Sequence, residues 1–266
     1  MSFSLPVRAL GSLNAKSGAS LWRANFQQVL SSNVSPTVMR HSMERFEGAL
    51  PSSVQMQDRW RELTMIDLSP TGRMMWHARA QESIAHVWHA YNTHVELIDR
   101  ARYSAQGFSP GGAISRVYAL VLDAYQALFE SSLTRNRREG HPPTPRTGFD
   151  LKDLARILDA PSLIRDACDF FDCFPRAKVV DLYAGIGLHP RTAERRFAAE
   201  GITALAIKRA CELSSATRYV LWSEHTLAEI AARFGYTDAS HLHHEFRRST
   251  GGIPPSVYRQ AARMMR

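Results

Sequence analysis

The sequence predicts an α+β chain: an N-terminal β-rich domain closed by a long amphipathic helix, then an all-α domain with two helix-turn-helix units. Three observations carry this. Glu139–Gly148 (EGHPPTPRTG) holds three prolines and two glycines near the middle of the 266-residue chain. Such a run is extended and cannot be helical, so it reads as a linker. Before it, short apolar and β-branched alternations dominate; after it, alanine- and leucine-rich segments with helical spacing alternate with short glycine-containing turns. The domains are therefore expected at 1–138 and 149–266, with the linker at 139–148.

The N-terminal half starts with Ser20–Leu30, where Leu21, Trp22, Phe26, Val29 and Leu30 fit one helical face or the start of a strand. From Val54 to Ile98 the alternation favours strands, in pieces such as Leu63–Leu68 and Ser83–Tyr91, broken by a turn at Ser69–Gly72. Ala113–Leu133 is strongly helical, with Val117, Leu120, Val121, Tyr125, Leu128 and Phe129 at i, i+3 and i+4 steps.

In the C-terminal half, Val179–Gly185 reads as a short helix, Gly187 as a turn, and Pro190 as the first-turn residue of a second helix, a position where proline costs nothing. Ala193 and Phe197 face inward; Arg191, Glu194, Arg195 and Ala198 share the other side. The shape recurs further on. Leu227, Ile230 and Ala231 line a helix ended by Gly235, Asp238 caps the next, and Leu242 and Phe246 turn inward. The two units cover about 179–200 and 226–248. Thr203–Ser223 joins them as one long helix packing through Leu205, Ile207, Leu213, Ala216, Tyr219 and Val220.

Composition bounds the function. Hydrophobic residues make up 44% and charged residues 22% of the chain, which excludes wholesale disorder. No run of 18 apolar residues is present, so no membrane partner is expected. The N-terminal segment has no apolar core of a signal peptide. Three cysteines, Cys168, Cys173 and Cys211, suit a reducing cytoplasm, the expected location. Net charge is +8, and it is uneven: residues 1–174 hold 19 basic and 17 acidic residues, residues 175–266 hold 14 and 8. A polyanion should therefore dock on the C-terminal third. Two recognition helices in one chain can reach successive major grooves about 34 Å apart, reading a site without two-fold symmetry. Arginine suits that task because it pairs bidentately with guanine.

Over Val179–Tyr258 the C-terminal half resembles the DNA-binding domain of the AraC/XylS family of bacterial transcription regulators. HPRTAERRF is similar to the family's Ser-Pro-Arg-Thr-Leu-x-Arg-x-Phe run. TLAEIAARFGYTDASHLHHEFRRSTGGIPPSVYR is similar to its C-terminal signature, with Pro255, Tyr258 and Arg259 in place. The resemblance implies that Arg191, Glu194 and Arg195 of the first recognition helix meet base edges, and that Ala239, Ser240, His241 and His244 of the second do so. Arg196 points away from the reading side and is expected on phosphate or in solvent. Four positions depart from the family pattern: His189 replaces an N-cap serine, Ala193 a leucine, Glu212 an arginine, and Ala239 a polar residue. Loose packing at Ala193 and a less selective second helix are the expected consequences. The resemblance further implies a DNA-binding activator, with RNA polymerase as a partner. It also implies that the N-terminal domain, through a cupin-like barrel and the Ala113–Leu133 helix, senses a small-molecule effector or forms a homodimer.

Rival signals are weaker. His241 and Glu245 lie one helical turn apart, but zinc needs three or four converging ligands and His243 points elsewhere. Contact of His241 and His244 with DNA would instead strengthen binding as the solution is acidified through the imidazole range. His77, His86, His89 and His94 fall on opposite faces if they lie on strands, and no carboxylate sits at matching spacing. Gly107–Ala113 lacks the lysine of a phosphate-binding loop. Cys168 and Cys173 are not at metal spacing and are expected as buried thiols. No metal, cofactor or enzymatic activity is expected. Two alternatives stand beside this reading: an effector-free regulator acting through protein partners, and a metal-dependent N-terminal enzyme fused to a DNA-binding domain.

Overall fold

The computed structural model describes residues 150–157, 159–250 and 252–264, together with Pro70, Arg73 and Met74. The expected N-terminal β-rich domain, its Ala113–Leu133 helix, its histidine cluster and the linker lie outside these residues. Pro70, Arg73 and Met74 are helical, where a turn and strands were expected from the local alternation.

The C-terminal half is all helical: α1 (Leu151–Ile157), α2 (Ser162–Cys173), α3 (Val179–Gly185), α4 (Pro190–Ala199), α5 (Ala204–Trp222), α6 (Leu227–Arg233), α7 (Ala239–Ser249) and α8 (Pro255–Met264). None of these is long and apolar enough to cross a membrane. The single long helix and both pairs of short helices stand where the periodicity puts them. Helix α5 is the axle. Its 19 residues span about 28 Å, and α1, α2, α3, α6, α7 and α8 all pack against it.

Being enclosed, α5 buries more than one stripe. Ala204, Ile207, Ala210, Leu213, Ala216 and Val220 are buried as a helical core face should be, but so are Glu212, Ser214 and Thr217. Leu205, expected on the packing face, is instead exposed; it leaves the first turn on roughly the opposite side from Ala204 and Ile207. Around the C-terminal part of α5 a continuous core gathers Leu213, Ala216, Val220, Ile230, Ala231, Leu242, Phe246, Ile253 and Tyr258, and Met74 lies within it. The signature residues at the C-terminal end close this core. Tyr258 is fully buried edge-on to Phe246, with ring centroids 5.7 Å apart, and Arg259 Nε donates to the Val220 carbonyl at 3.0 Å.

Around the other part of α5, Ile164, Cys168 and Phe171 of α2, Leu182 and Tyr183 of α3, and Ala193 and Phe197 of α4 are buried. Cys168 is a buried thiol as expected, and Cys211 is buried beside it; a hydrogen bond between them, then burial, holds the Cys211 thiol well above its ordinary range. Cys173 is a correction: it is exposed, because five residues of helix carry it well round from the buried side of Cys168.

Candidate nucleic-acid interface

The two short-helix pairs are built by the same local chemistry. After α3, Gly187 adopts φ +67°, its amide donates to the Ala184 carbonyl at 3.1 Å, and the Leu188 amide reaches back to Tyr183 at 2.9 Å. After α6, Gly235 adopts φ +83° and the Tyr236 amide reaches back to Ala231 at 3.0 Å. Both are left-handed glycine stops that satisfy the last helical carbonyls. The surroundings differ. A methyl group on Gly187 would meet open space, whereas one on Gly235 would lie 2.7 Å from Glu212 Oε1 and 3.3 Å from the Pro175 carbonyl.

Helix starts are specified more sharply in the second unit. Thr226 and Glu229 form a reciprocal capping box at the head of α6: the Glu229 amide donates to Thr226 Oγ1 at 3.2 Å, and the Thr226 amide to Glu229 Oε2 at 2.6 Å. The amide and hydroxyl of Thr226 hold the Glu229 carboxyl below its usual range. Asp238 caps α7 by accepting the His241 amide at 2.7 Å. In the first unit Pro190 opens α4, but His189 at the N-cap makes no side-chain cap bond. The absent serine is a real local loss. Asp238→Ala is expected to destabilise the second unit by about 1 kcal/mol, read as a lower denaturation midpoint.

On α4, Ala193 and Phe197 are buried and Arg191, Glu194, Arg195 and Arg196 are exposed. Ala193, which replaces the family's leucine, is wholly enclosed. The Tyr183 ring lies 6.3 Å from that of Phe197 beneath α4; burial, then the Glu194 charge, pushes its phenol up. Among the described residues none of Arg191, Arg195 and Arg196 has an ion-pair or hydrogen-bond partner. Their charges stand free for an external anion.

On α7, Ser240, His241 and His244 are exposed, Ala239 and His243 half-buried, and Leu242 and Phe246 fully buried. The structure thus sets seven of the eight expected contact residues outward, four on α4 and three on α7; Ala239 is the exception. His241 is the most constrained of them. Its ring stands edge-on to Tyr236, centroids 5.3 Å apart, and its Nδ1 accepts the Thr237 amide at 3.3 Å. That bond selects the tautomer protonated on Nε2, leaving Nε2–H as an outward donor. On the flank of α7, Arg248 pairs with Glu245 at 2.6 Å and Arg247 Nε donates to the Gly252 carbonyl at 3.0 Å, so these two cations are partly spent within the protein. Among the described residues no group of three His, Cys, Asp or Glu side chains could hold a metal.

Two buried groups beneath the turn between α6 and α7 have a placement the sequence reading did not give. Glu212 is 8% exposed and pairs with Lys208 one turn earlier on α5. Burial pushes its carboxyl up, while Lys208, Arg209 and His241 pull it down. It lies under Gly235, so the arginine expected there is replaced by a carboxylate wedged beneath the second turn. Tyr236 is buried beside it, its phenol pushed far up by desolvation and by the charge of Glu212. The only available signal was the departure from the family pattern at position 212.

The family model described as a helix-turn-helix domain matches residues 182–261. The segment is an AraC-type helix-turn-helix domain. A transcriptional activator, NphR, from a Rhodococcus species is 36% identical to this chain over 80 residues, which is 30% of this chain and 24% of that protein. The match therefore spans about a quarter of the relative's length. No solved structure matches the chain.

Proposed function

We propose that this chain is a sequence-specific DNA-binding transcription regulator, acting as an activator, that reads two successive major grooves with α4 and α7. The observation that carries this is the repetition of one capped turn geometry in two units, with exposed arginines on α4 left without protein partners. Arg191 and Arg195, one helical turn apart, suit bidentate pairing to guanine, and Glu194 between them suits a cytosine amine. Ser240, His241 through Nε2–H, and His244 serve the second groove. The Rhodococcus relative is a transcriptional activator by name, which supports the sign of regulation.

The same reading makes the chain a cytoplasmic binding protein rather than an enzyme, with duplex DNA and RNA polymerase as partners. The N-terminal half controls it, by taking a small-molecule effector or by pairing with a second copy. Genome-wide footprinting followed by anisotropy on the recovered duplex tests the reading. Arg195→Ala is expected to cost about 1–3 kcal/mol and relax base choice at one position, while Arg196→Ala weakens all sequences alike and lowers the salt slope by about one. Equal effects of the two on base choice would refute the assignment.

A further inference from the structure

Arg73 and Met74 belong by sequence to the N-terminal half, yet both are buried among the C-terminal helices. Arg73 Nη2 donates to Ser214 Oγ at 2.8 Å and to Asp150 Oδ1 at 3.3 Å. Asp150 opens α1, its backbone carbonyl accepting the Leu154 amide at 3.1 Å. Its carboxylate, with a side chain only 4% exposed, also takes the hydroxyl of Ser214, that of Ser215 at 3.0 Å and the Leu151 amide at 3.2 Å. These partners lie midway along α5, between the two helix-turn-helix units.

The two neighbouring residues straddle that junction. Through Asp150, Arg73 grips α1, which packs on α2, and α2 packs on α3 of the first unit. Met74 enters the core that supports α6 and α7 of the second unit. A second cation waits at the same carboxylate: Arg218 Nη2 is 3.8 Å from Asp150 Oδ2, an ion-pair distance too long for a hydrogen bond. The Arg218 guanidinium also lies 5.7 Å from the Tyr219 ring, and Tyr219 packs on His225 and Phe234 at the two ends of α6.

A buried carboxylate needs a countercharge; with Arg73 withdrawn, the cation left beside Asp150 would be Arg218, and drawing it in would shift the contact on Tyr219. We propose that this exchange is the route by which the N-terminal half sets the relative placement of the two reading units, with Arg73 as its positioning residue. The proposal rests on the DNA-binding reading above and names the contact through which control would pass. A ligand in the N-terminal half would act only to the extent that it favours one of the two pairings.

The test uses the full chain and two duplexes: the recovered operator, and the same operator with one base pair inserted between its two half-sites. A merely structural role would lower the active fraction and weaken both duplexes equally. Arg73→Ala and Asp150→Asn are each expected to change the ratio of the two affinities by at least about fivefold, and the double variant by no more than either single one, because they break one pair. Arg73→Lys, which keeps the charge, should restore the ratio in part. Unchanged ratios in Arg73→Ala and in Asp150→Asn, or single effects that simply add, would overturn the proposal. A wild-type chain without selective duplex binding would refute the DNA-binding reading itself. Amide exchange across 214–221 reads the latch without DNA: it should accelerate in Arg73→Ala, and unchanged exchange there would overturn the contact.

Discussion

Gly235→Ala is expected to destabilise the second helix-turn-helix unit by about 3 kcal/mol, and Gly187→Ala the first by only about 1–2. Both glycines hold left-handed backbone that costs an alanine roughly 1–2 kcal/mol. At Gly187 nothing further is lost, since the new methyl meets open space. At Gly235 it lands against the Glu212 carboxylate and the Pro175 carbonyl. Moving Glu212 breaks its pairing with Lys208 inside the protein, and an unpaired buried polar group costs a further 1–3 kcal/mol, roughly. Tyr236 and His241 follow the same turn, so affinity for DNA should fall with stability. Chemical denaturation of the two variants, followed by amide exchange in α6 and α7 against α3 and α4, reads the difference. Equal losses would show that Glu212 yields freely.

Met74→Ala should cost about 2–5 kcal/mol, the usual range for emptying a fully buried methionine site. Met74 is wholly enclosed and packs in the core with Leu213, Ala216, Phe246 and Tyr258. The loss should therefore surface in the C-terminal helices, as faster amide exchange in α5, α7 and α8, although the substitution lies 76 residues before Asp150. Exchange that rises only in the N-terminal half would contradict the packing. Cavity-filling by Leu, similar in volume, should recover most of the stability.

What was legible in the sequence was what is decided locally. Asp238 caps the amide three residues on, and Gly187 and Gly235 stop their helices through bonds reaching five residues back. Phe197 and Phe246 face the core because helical spacing leaves them no other side. Fewer features of α5 could be read, because its environment comes from six other helices. A helix enclosed nearly all round buries Glu212, Ser214 and Thr217 once partners reach them, and those partners are supplied by distant segments. Arg73 is the extreme case: its bond to Ser214 joins residues 141 positions apart, and no periodicity encodes that. At the reading surface, residue types and their outward direction followed from spacing. The fixed tautomer of His241 did not, since it depends on where the Thr237 amide points.

The burial of Met74 and Arg73 among helices that follow residue 149 bears on how such chains can be recombined. A cassette excised at the proline-rich segment 139–148 would leave behind two side chains that its own interior uses. Grafting it onto an unrelated N-terminal half would then require the new host to bring an Arg-Met pair to the same place, or the graft to be repacked around its absence. Exchange of N-terminal halves between chains of this build is thereby limited to donors that carry the matching plug.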